Sequence, residues 1–117
     1  MIFASQNATF CLPEVLRGVS ALAGAIPHAM LLFRIHRTMD LILTGRRLSV
    51  EEALSWGLVK DIVTQEQLLV RAFSYAVEIA EKSPDSVIIS RLGARGVWKT
   101  GVSRAAIGGR NCMPKRC

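Results

Sequence analysis

A chain of 117 residues has room for one domain. Half of its residues are hydrophobic and 21% are charged, a balance that excludes wholesale disorder. The net charge of +6 arises on the C-terminal side: no acidic residue follows Asp85, while Arg91, Arg95, Lys99, Arg104, Arg110, Lys115 and Arg116 do.

MIFAS is apolar and β-prone, and TFCL repeats that character after the turn-like SQNA. A short strand pair is therefore expected near the N-terminus. Pro13 breaks the second strand because it has no N–H to give a ladder, and Gly18 ends the short piece that follows. Residues 20–34 read as a helix that Pro27 kinks or restarts, and residues 37–44 read as another. Gly45 suits the left-handed position just past a helix end.

Ser49 and Glu52 have the spacing of a reciprocal N-terminal cap, and Gly57 stops the helix they open. Residues 58–63 read as extended. Thr64 and Gln67 repeat the capping spacing, which predicts the longest helix over 65–82, with Leu68, Leu69, Ala72, Phe73 and Ala76 at helical intervals. Ser83 and Pro84 open a last helix carrying Val87, Ile88 and Leu92. The closing GGRNCMPKRC has no periodic apolar pattern, and residues 104–117 are expected to form a disordered basic tail.

Candidate chemistry is sparse. Cys11, Cys112 and Cys117 make an odd set without metal-ligand spacing. His28 and His36 lie eight apart with no acidic neighbour, so no metal site is expected. The basic end suits phosphates or, more commonly, a solvated helix face. With only Trp98 among its charges, no nucleic-acid partner is expected. The apolar run 19–33 is too short to span a bilayer comfortably, which argues against a membrane segment.

ATFCLPEV, then LILTGRRLSVEEALSWGLVKDIV, then AVEIAEKSPDSV, taken in order over residues 2–101, resemble the crotonase family, the enoyl-CoA hydratase/isomerase group. LTG or EEA alone is weakly informative; the ordered series is specific. The resemblance implies an α+β fragment, mostly helical, forming the C-terminal part of a ClpP/crotonase fold over residues 1–103. It implies an acyl-CoA thioester as substrate in fatty-acid or related metabolism, with no cofactor, metal or nicotinamide. It also implies a trimer-based homo-oligomer through the C-terminal helices and a mitochondrial or peroxisomal matrix setting, with a cytoplasmic one as the alternative.

In that family an N-terminal half supplies the oxyanion-hole N–H donors and one catalytic glutamate, and neither has a counterpart here. Glu14 matches the second catalytic glutamate. Leu22 stands where dienoyl-CoA isomerases carry an acidic residue, which disfavours that subclass. Arg34 replaces a glycine found in many relatives, and His28 replaces an arginine. Arg46 and Arg47, just past Gly45, suit a phosphate or subunit contact or plain solvent exposure. The expectation is a chain catalytically weak or dead by itself; the alternative is a non-catalytic helical interaction module derived from a crotonase.

Overall fold

A computed structural model describes residues 1–111, with side-chain surroundings for 1–96 and 98–100. The elements run β1 (Phe3–Ser5), β2 (Thr9–Cys11), a 3₁₀ turn (Pro13–Arg17), α1 (Ala25–Thr44), β3 (Arg47–Ser49), α2 (Val50–Ser55), β4 (Asp61–Val63), α3 (Leu68–Ala80) and α4 (Pro84–Asn111).

The two opening strands form, but not as a pair. β1 runs parallel to β4, with Phe3 opposite Asp61 and Ser5 opposite Val63. β2 runs antiparallel to β3, with Phe10 opposite Leu48. Short strands need a hydrophobic face and further partners, and each finds its partner across α1 instead of across the SQNA turn. Residues 58–63, expected to be extended throughout, contribute only the three of β4.

The core sits where these ladders meet α1 and α2. Ala4, Phe33, Leu41, Leu48, Val50 and Val59 are buried together, and Leu48 is wholly removed from water. Burying such a side chain contributes about 1.5–3 kcal/mol. Neither α3 nor the described part of α4 adds a buried hydrophobic residue to this cluster. α3 is held to β1 and β4 at one edge: the Phe3 and Tyr75 rings meet edge-on at 5.4 Å, and Arg71 Nε donates to Asp61 at 2.8 Å. Its outer face leaves Leu69, Val70 and Phe73 at 71%, 70% and 69% exposure.

Three helix expectations need correction. α1 is interrupted at Arg34 and not at Pro27: Arg34 has φ 62°, ψ 174°. Pro27 lies in the first turn of α1, where its missing N–H has no intrahelical acceptor to lose. α3 begins at Leu68, with no side-chain cap; Gln67 N–H takes the Thr64 carbonyl at 3.1 Å, so the expected Thr64–Gln67 box is replaced by a backbone turn. The longest helix is α4, which carries residues 84–111 and so overlaps the first part of the expected tail. Residues 112–117 lie outside the described residues.

The central punctuation forms as the spacing predicts. Gly45 closes α1 at φ 63°. Glu52 N–H donates to Ser49 Oγ at 3.2 Å and Ser49 N–H to Glu52 Oε2 at 3.4 Å. Arg46 locks this corner, with Nε on Asp40 Oδ2 at 2.7 Å and a two-pronged contact to Glu52 at 3.0 and 3.1 Å.

The Arg46 guanidinium, and then the Ser49 N–H, hold the Glu52 carboxyl below its ordinary value. The folded chain therefore binds this proton less tightly than the unfolded chain. The associated stability is complete above the ordinary carboxylate range and is lost as pH falls through that range and below it. Glu52→Gln is expected to lower the urea midpoint near neutral pH and to flatten its decline in acid. Midpoints measured from neutral to acid pH check this; an unchanged acid slope refutes the assignment.

Candidate active site

Glu14 is placed by two backbone devices. Pro13 opens the 3₁₀ turn with its φ already fixed, and Gly18 ends it at φ 69°. Val19 N–H then returns to the Glu14 carbonyl at 3.1 Å. Leu16 fastens the turn to the end of α1. A β-carbon built on Gly45 would come within 2.7 Å of Leu16 Cγ, so only glycine permits this approach. The carboxylate is thereby tied to the same residue that closes α1.

Glu14 lines a cavity of about 190 Å³ with Val15, Val19, Ala21, Ile26 and Ile42. Ser20 is the other polar residue of the lining. Glu14 Oε2 is buried, with no hydrogen-bond partner among the described residues. Buried polar atoms are ordinarily paired, so an unpaired carboxylate oxygen beside an apolar cavity marks this as the candidate site. Ile26 and Ile42 were visible in the sequence only as apolar helix positions; their convergence on Glu14 depends on how α1 packs.

The other residues singled out take different places. Leu22 is exposed. His28 Nδ1 lies 2.6 Å from the Gly24 carbonyl, and its ring meets Trp98 at 5.5 Å, joining α1 to α4. Arg46 is engaged with Asp40 and Glu52 and is no free phosphate ligand, while Arg47 is an exposed residue of β3. Cys11 is an exposed free thiol. Among the described residues, no group of three or more His, Cys, Asp or Glu is placed to hold a metal ion, and no helix is long and apolar enough to cross a membrane.

Comparison with known proteins gives this arrangement its context. A mevalonyl-coenzyme A hydratase of Aspergillus fumigatus is 38% identical over 99 residues, which cover 85% of this chain and 37% of that protein. A mevalonyl-coenzyme A hydratase of Beauveria bassiana is 43% identical over 99 residues, covering 84% and 35%. The chain thus spans little more than a third of these relatives. The crystal structure of an enoyl-CoA hydratase/isomerase from Pseudoalteromonas atlantica superimposes with a TM-score of 0.80 at 30% identity, covering 92% of this chain and 45% of that one. Residues 1–91 match the family described as Enoyl-CoA hydratase/isomerase, and the chain belongs to that family.

Proposed function

We propose that this chain is the C-terminal portion of a crotonase-type acyl-CoA hydratase and that Glu14 is its proton-transfer carboxylate. The observation that carries the reading is the Glu14 oxygen beside an apolar cavity, partnerless among the described residues. Hydration adds the water oxygen to the β-carbon of an α,β-unsaturated thioester and a proton to its α-carbon; dehydration reverses both. Glu14 delivers the α-proton in one direction and removes it in the other. The negative charge that builds on the thioester oxygen needs preorganised N–H donors, which the N-terminal half of the family's fold supplies.

Hydration is favoured over isomerisation because relatives at 38% and 43% identity bear hydratase names. The substrate is an acyl-CoA, and no cofactor is needed. The exposed apolar residues of α3 support a trimer-based homo-oligomer through the C-terminal helices.

The test compares the chain alone with the chain joined to the N-terminal half of a full-length relative, following loss of the conjugated thioester absorbance of a short enoyl-CoA. Turnover by the joined protein and none by the chain alone is the expected result. Turnover by the chain alone refutes the division of labour. The other reading, a non-catalytic assembly module, is favoured by the exposed α3 face; it gains if the joined protein is folded and inert.

A further inference from the structure

A second cavity, of about 460 Å³, opens beside the interruption in α1 and is lined by Leu32, Phe33, Arg34, His36, Arg37 and Trp56. It shares no residue with the cavity of Glu14. Its charge is one-sided: two arginines and a histidine line it, and no carboxylate does. Arg34 and Arg37 form no ion pair among the described residues. Arg46 nearby has both its guanidinium edges occupied by Asp40 and Glu52, so the contrast between filled and open forks is local.

Two features give this cavity more order than a patch of solvated charge has. The Arg37 guanidinium lies over the Trp56 ring, 5.1 Å from its centroid, and Phe33 meets the same ring edge-on at 5.5 Å. Stacking of this kind holds a guanidinium plane in place while its N–H edges stay available. Arg34, in turn, occupies a backbone conformation that is almost exclusively glycine's. The interruption it makes in α1 brings Arg34, His36 and Arg37 to one cavity.

We infer that this pocket binds the phosphate of a small phosphorylated organic anion. Two arginine forks and an imidazole suit the several oxygens of a phosphate or diphosphate, and the Leu32, Phe33 and Trp56 walls suit a compact organic body. The volume falls within the range of small-molecule sites. The inference does not depend on the reading of Glu14.

The probe is inorganic pyrophosphate, titrated into the full chain by calorimetry at constant physiological ionic strength. Saturable one-to-one binding is expected, with Arg37→Gln and Arg34→Gly each weakening it by about tenfold or more. Arg34→Gly also relieves the backbone conformation, so its loss of binding cannot come from a failure to fold. Arg47→Gln removes an equal charge outside the pocket and should leave binding unchanged. Competition by free coenzyme A would assign the phosphate to the thioester carrier, and failure to compete would assign it to a separate metabolite; both outcomes retain the site. Absence of binding at millimolar pyrophosphate, or equal weakening by Arg47→Gln, overturns it.

Discussion

Glu14→Gln, made in the chain joined to the family's N-terminal half, is expected to slow turnover of a short enoyl-CoA by a factor of roughly 10²–10⁴, the usual contribution of a positioned proton-transfer group. KM should move much less, because the amide fills the same space and loses only the capacity to carry the proton. Stability should scarcely change. The carboxylate oxygen Oε2 lacks a hydrogen-bond partner among the described residues, so the substitution breaks no contact there at that atom. Steady-state kinetics and urea unfolding of the same preparation separate the two effects. Full activity with glutamine at position 14 would show that another group moves the proton.

Arg34→Gly should have the opposite character, with a large effect on stability. At φ 62°, ψ 174° a residue with a β-carbon carries about 1–3 kcal/mol of strain. Glycine removes that strain but adds about 0.5–1 kcal/mol of unfolded-state freedom. A net gain of up to about 2.5 kcal/mol is expected, read as a higher urea midpoint. Arg34→Ala separates causes: it deletes the charge and retains the strained backbone, so it should gain little. If alanine and glycine stabilise equally, charge repulsion and not backbone strain is what Arg34 imposes. Thr38 belongs to the same disturbance. It is fully buried with its hydroxyl unpartnered among the described residues, and the carbonyl four residues back, a threonine's usual acceptor in a helix, is the one that Arg34 turns away.

Local chemistry was legible wherever a short stretch decides the outcome. The Ser49–Glu52 box, the glycine ends at Gly45 and Gly57 and the Pro84 start depend on neighbours within four residues, and all form. The same reasoning failed at Thr64, where the backbone carbonyl of a turn took the N–H that the hydroxyl was expected to receive. Strand pairing was not legible, because β1 and β2 choose partners more than thirty-five residues away and nothing local distinguishes those from each other. The break near residue 34 was legible as the gap between two expected helices, and Arg34 as a departure from a glycine position, yet the positive φ that Arg34 carries there required the backbone. For the site, Glu14 was legible only through the family's motif. Its burial, its missing partner and the α1 residues around it belong to packing.

The pairing of β1 with β4 also orders events in time. Phe3 leaves the ribosome about 60 residues before its partner Asp61, and a contact of that span cannot be rewarded until the intervening chain has been made. The first strand therefore waits with an unpaired edge while α1 and the Ser49 corner, which need only near neighbours, take shape. Open strand edges recruit other chains. Pairing this parallel ladder is thus also the step most exposed to competition from a second nascent copy, and slower elongation through residues 6–60 would lengthen that exposure.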